Sequence, residues 1–101
     1  MTVTRHIRIR DVLVHLGIED ERILIELRRE GLFEADEVDS HGADELRVAT
    51  VMMEELGVNP AGVHVALHLR RRLITLEARA ITLMNRMQEG QEEIDDEEDA
   101  R

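Results

Sequence analysis

The stretch LRRRLITLEARAITLMNRM, residues 69–87, decides how the chain is read. Leu69, Leu76 and Leu83 recur every seven residues and interleave with Leu73, Ala80 and Met87. The spacing predicts an a/d heptad seam on one long helix. Such a helix cannot cover its own apolar stripe and needs a second surface. The nearest supplier is another copy of the chain, so a homodimer is expected. A second row, Leu67, Ile74 and Ile81, lies beside the seam. With fewer than three heptads, packing of this helix on its own domain is the competing explanation. The apolar face is broad enough for one edge on the domain and the other on a partner.

The 101 residues suit one domain with a shallow core. Hydrophobic residues make up 43%, yet Phe33 is the only aromatic, so the core must be aliphatic. No Trp or Tyr is present to anchor an interface or stack on a base. Cysteine is absent, which excludes disulfides and thiolate metal sites and fits a reducing cytoplasm. Arg5, Arg8, Arg10 and Asp11 interrupt any apolar run in residues 1–16, so no signal peptide is expected. No uncharged apolar stretch approaches membrane-spanning length, so no membrane partner is expected either.

The formal net charge of −10 is unevenly placed. Residues 88–101 carry eight acids against Arg101, a net of −7, which leaves −3 for the rest. Every basic side chain is Arg, a planar fork suited to carboxylates. Neither part has the overall charge of a phosphate binder.

Outward from the seam, turn residues divide the chain. Residues 4–10 read as a short extended lead-in. Ile9, Val12, Leu13 and Leu16 take helical spacing up to a stop at Gly17. A second helix is predicted over Glu19–Glu30, with Ile23, Leu24 and Leu27 buried and Gly31 ending it. Residues 32–42 form an acidic connector pinned by Leu32, Phe33 and Val38. The third helix is expected over Ala43–Leu56, stopped by Gly57. Asn59 as cap and Pro60 as first helical residue then start the long helix. It is expected to end near Met87, where Gly90 and the acid run follow. The predicted organisation is a helix-turn-helix-like body (1–58), a long dimerisation helix (59–87) and a disordered acidic tail (88–101). The tail is expected to be dispensable for folding.

Other motifs carry ordinary explanations. His64 and His68 stand four apart, a spacing that lets two ligands share a metal on a helix. Two further ligands are lacking, so they read as histidines flanking the apolar stripe, and no metal or cofactor is expected. Arg70, Arg71 and Arg72 read as a solvated shoulder, with a site for an acidic segment, including the chain's own tail, as the sharper possibility. Arg5, Arg8 and Arg10 are candidate phosphate contacts. Glu19, Asp20, Glu21 and Glu26 oppose them on the helix that would read DNA. The hydroxyls Ser40, Thr50, Thr75 and Thr82 sit in no nucleophile motif.

The order helix, Gly17 turn, helix, Arg29-Glu30-Gly31-Leu32, loop, helix, Glu54-Glu55-Leu56-Gly57-Val58, long helix resembles the MerR-like winged-helix superfamily over residues 7–87. The family's Arg-Tyr pair in the second helix is replaced by Leu24-Ile25-Glu26-Leu27. Its Gly-Tyr-Arg-type wing is replaced by Glu37-Val38-Asp39-Ser40-His41-Gly42. An acidic wing faces phosphates with the wrong sign. A branch with those losses is the chaperone-modulator family, which this chain resembles in length, acidity and the apolar Val63-His64-Val65-Ala66-Leu67-His68-Leu69 opening of its last helix.

That resemblance implies an all-α fold, a degenerate winged helix-turn-helix with a long C-terminal dimerisation helix. It implies a non-enzymatic, cytoplasmic homodimer that binds and inhibits a DnaJ-type co-chaperone through its J-domain. J-domains of that family present a basic helix, so Asp44, Glu45, Glu54 and Glu55 are the candidate partner contacts, chosen on charge sign. The dimer-interface candidates are Leu69, Leu73, Leu76, Ala80, Leu83 and Met87. A MerR-like DNA-binding regulator of stress genes is the alternative, with nucleic acid the less favoured partner.

Overall fold

The computed structural model of the chain describes residues 5–99, with side chains described through residue 90. Four helices dominate: α1 (Ile9–His15), α2 (Arg22–Arg29), α3 (Ser40–Glu54) and α4 (Pro60–Asp99). A small antiparallel sheet joins β1 (Ile7–Arg8) to β2 (Glu37–Val38), with Ile7 opposite Val38 and Arg8 opposite Glu37. The fold is therefore mostly helical rather than all-α. Of the extended lead-in, Ile7–Arg8 form a strand while Ile9 and Arg10 already belong to α1, and the strand's partner lies within the expected connector. Two-residue strands are too short to show alternation, and this pairing joins segments thirty residues apart.

Helix ends follow local chemistry. After α1, Ile18 N–H donates to Leu13 O at 2.9 Å and Gly17 N–H to Val14 O at 3.0 Å. After α2, Leu32 N–H donates to Leu27 O and Gly31 N–H to Arg28 O, both at 3.0 Å. Both are Schellman closures, with glycine in the left-handed region at φ 76° and 79°. Their flanking apolar pairs, Leu13 with Ile18 and Leu27 with Leu32, are all buried.

Helix starts differ from expectation. α2 begins at Arg22 instead of Glu19, because the Asp20 carboxylate folds onto the Arg22 N–H at 3.0 Å. α3 begins at Ser40 instead of Ala43, because Asp39 caps it by accepting from Gly42 N–H at 2.7 Å. Asn59 caps α4 in the same way, accepting from Gly62 N–H at 2.7 Å.

The aliphatic core takes Ile9, Val12 and Leu13 from α1, Ile23, Leu24 and Leu27 from α2, and Leu46 and Ala49 from α3. Ile18 and Leu32 close it from the turns, and Val63 and Leu67 enter from the first turns of α4. The compact body thus reaches His68, beyond the expected boundary at residue 58. The second unit begins at Leu69. α4 does not stop near Met87: its backbone stays helical through Gly90 to Asp99. Gln88, Glu89, Gln91, Glu92 and Glu93 are good helix formers. One interior glycine costs only about 1 kcal/mol, too little to break a helix already nucleated. The side chains of residues 91–101, and with them most of the expected acidic tail, lie outside the described residues.

Candidate protein-interaction surface

From Leu69 onward α4 presents its seam uncovered. Exposure runs from 54% at Leu76 to 66% at Met87, with Leu69, Leu73 and Leu83 between them. Ala80 is exposed as well. At about 100° per residue the six seam positions fall within one narrow arc of the helix. Ile74, Ile81 and Met84 are also exposed, so the apolar face is wider than the seam. Thr75 and Thr82 flank it, but each hydroxyl donates back to the carbonyl four residues earlier, Arg71 and Ala78, at 3.0 Å. Neither is poised as a nucleophile.

The acidic candidates separate. Glu54 and Glu55 are exposed at the end of α3. Asp44 is half-buried and accepts from Arg47 Nη2 at 2.9 Å. Glu45 is buried, and its carboxylate lies 2.9 Å from His41 Nε2. Its earlier assignment as a partner contact is therefore corrected. Glu45 lies four residues before the buried Ala49, on the inner face of α3, which charge sign alone could not show. Glu45 belongs to the fold, and Glu54 with Glu55 remain the presented pair.

The arginines divide likewise. Arg28 Nε donates to Phe33 O at 2.9 Å and Nη2 to Ala35 O at 3.2 Å, with Asp36 at 3.5 Å. This side chain, which the sequence did not single out, ties down the loop between α2 and β2. A surface cleft of about 520 Å³ lies beside it between α1, α2 and the sheet. Arg8, Arg10 and Arg28 line it together with Glu21, Asp36 and Glu37. Equal numbers of both signs leave no concentrated field for an anion.

His64 is committed to the body: its Nδ1 lies 2.8 Å from the carbonyl of Glu30 at the end of α2. The ring nitrogen facing that oxygen must carry the proton. His68 is exposed one turn on. Among the described residues no group of three or more His, Cys, Asp or Glu is placed to hold a metal ion. Among them, too, no helix is long and apolar enough to cross a membrane.

Asp20 has a carboxyl held below its ordinary range. The leading cause is the Arg22 backbone N–H, opposed by slight desolvation and aided by the Arg22 side chain. Its bond to the Arg22 N–H fixes the start of α2.

No protein-family model, curated protein or solved structure matches the chain.

Proposed function

We propose that this chain is a non-enzymatic, homodimeric modulator that binds a basic protein surface, with the J-domain of a DnaJ-type co-chaperone as the partner. The observation that carries this reading is the uncovered seam from Leu69 to Met87. A contiguous apolar stripe on a soluble helix is an association surface by default. In this reading α1 and α2 form a degenerate MerR-like helix-turn-helix, β2 is what remains of a wing, and α4 is the dimerisation helix. Glu54 and Glu55 are the presented acids that meet the basic helix of the partner.

A DNA-binding regulator of stress genes is the second reading. The exposure of Arg5, Arg8 and Arg10 favours it. Against it, Arg28 is spent on the loop and Glu37 occupies the strand where a basic wing is needed.

Sedimentation of the full chain tests the dimer. Calorimetry against an isolated J-domain, run beside gel shifts with operator DNA, tests the partner. J-domain binding with weak, sequence-independent DNA affinity supports the proposal. Tight operator binding at physiological salt replaces it with the regulator reading.

A further inference from the structure

The body carries an aliphatic side chain that its own core does not use. Val14 on α1 is 75% exposed, while Val12 and Leu13 beside it are buried. A single exposed aliphatic residue is ordinary on a protein surface. Val14, however, lines a cleft of about 480 Å³ together with the buried Leu13 and Ile18. The closure of α1 holds those two in place, with Ile18 N–H donating to Leu13 O at 2.9 Å. The cleft is therefore formed when the body folds, and an occupant bears little ordering cost from this side. All of it lies within the compact unit that ends at His68.

One sign of charge dominates its edge. Glu19, Asp20 and Glu21 line the cleft, and Arg10 is the only base lining it among the described residues. Asp20 is engaged by Arg22 at 3.2 Å. Glu19 and Glu21 are exposed, and among the described residues neither has an ion-pair partner. The cleft beside Arg28 differs, because three arginines there meet three acids. An anionic ligand would be repelled here, and a wholly apolar one would desolvate carboxylates without pairing them. The complement is a segment with a bulky aliphatic side chain beside Lys or Arg. The volume is at the lower end of the roughly 300–1,000 Å³ of ligand sites and suits the side chains of about one helical turn. In a second copy of the chain the basic, apolar stretch is α4. Its Arg70 and Arg71 already have partners in their own chain, so another protein is the better occupant.

We propose that the cleft between α1 and the start of α2 is a second docking surface, which takes a cationic amphipathic segment of another protein. An aliphatic side chain seats against Leu13, Val14 and Ile18, and neighbouring Lys or Arg meet Glu19 and Glu21. The site deepens the reading of a basic partner and rests on that part of it alone. It requires neither a J-domain nor a dimer.

The probe is a labelled peptide of lysine and leucine, with leucines at helical spacing, titrated into the full chain. Amide NMR shifts should cluster on residues 10–21. Val14→Gln should weaken binding about tenfold, and so should Glu19→Gln with Glu21→Gln. Glu26→Gln with Glu34→Gln removes the same charge at exposed positions outside the cleft and should change affinity by less than about twofold. Circular dichroism confirms that each variant is folded. Equal binding by a lysine and serine peptide, or equal weakening by both double variants, would reduce the contact to net charge and overturn the proposal. Shifts clustered beyond His68 would overturn it by placing the peptide on α4. Loss of self-association in Val14→Gln would overturn it by assigning the cleft to a second copy. An isolated J-domain is titrated in parallel. Its failure to bind, with the peptide seated in the cleft, removes the proposed partner and leaves this site. J-domain binding with no peptide in the cleft does the reverse.

Discussion

Arg28 Nε donates to the carbonyl of Phe33 at 2.9 Å, and Phe33 is the one non-glycine with positive φ, 54°, among the described residues. An aromatic residue in the left-handed region is strained by about 1–2 kcal/mol. Here the Arg28 fork holds it there by gripping Phe33 O and Ala35 O together. The clamp fixes the loop that delivers Glu37 and Val38 to the sheet.

Removing the clamp should therefore loosen the body. Arg28→Ala is expected to lower unfolding free energy by about 1–3 kcal/mol, read by urea denaturation. Arg28→Lys should recover only part of it, because an ammonium cannot span two carbonyls as a planar fork does. Equal stability of the Lys variant and the parent would show that charge alone matters.

The cap of α3 offers a test of sign. Asp39→Ala should cost about 0.5–2 kcal/mol through loss of the Gly42 N–H bond. Gly42→Ala gains up to about 1 kcal/mol of helix propensity. Its Cβ, however, would stand 2.8 Å from Val38 Cβ. That atom is on the strand and cannot swing away, so net destabilisation is expected. Gly90→Ala meets nothing within 4 Å and should raise helicity instead. Thermal melts of the two glycine variants should move in opposite directions.

Glu45 and the pair Glu54, Glu55 should separate stability from binding. Glu45→Ala leaves His41 unpaired and a gap beside Leu46, with an expected cost of about 1–3 kcal/mol. Glu54→Arg with Glu55→Arg should shift the melt by no more than about 0.5 kcal/mol, as exposed sites do. The double variant should slow association with a J-domain, and salt should slow the parent's association in the same direction. Unchanged association rates would remove these two residues from the contact.

The seam variants should change assembly and leave the body alone. Leu76→Glu with Leu83→Glu places unpaired charge in the proposed interface and is expected to yield folded monomer. Neither residue belongs to the core, so the urea midpoint of the body should stay close to the parent's monomeric limit. Sedimentation and light scattering read the first effect, and circular dichroism the second.

Acid should loosen the start of α2. The Asp20 carboxyl titrates below its ordinary value because the Arg22 N–H bonds the charged form. Its contribution is complete above the unfolded-state value of about 3.9 and is lost as pH falls through the lower folded-state value. Asp20→Asn should flatten that acid limb slightly and lose the same small contribution at neutral pH.

Much of this architecture is legible in the chain where local chemistry decides. Gly17, Gly31 and Asn59-Pro60 mark helix ends by conformations or bonds that few other residues supply. The seam is legible because its period repeats. Asp39 was hidden because, in an acidic connector, a capping carboxylate resembles its neighbours, and only the following Gly42 distinguishes it. Glu45 stands four residues before Ala49 and seven before Met52, on the inner stripe of α3, so helical spacing marks it and charge sign alone does not. The β1–β2 pairing depends on contacts between distant segments, as does the clamp by Arg28, and neither leaves a local pattern.

The roots of α4 have a thermodynamic consequence. Its first turn is capped by Asn59, and Val63 and Leu67 are set in the core, so the costly nucleation of the helix is settled when the body folds. Elongation past His68 then proceeds on a template already in place. In the proposed dimer the apolar stripe would meet its partner already helical, without a coil-to-helix transition at the moment of encounter. On that reading, capture should be quick and depend steeply on protein concentration.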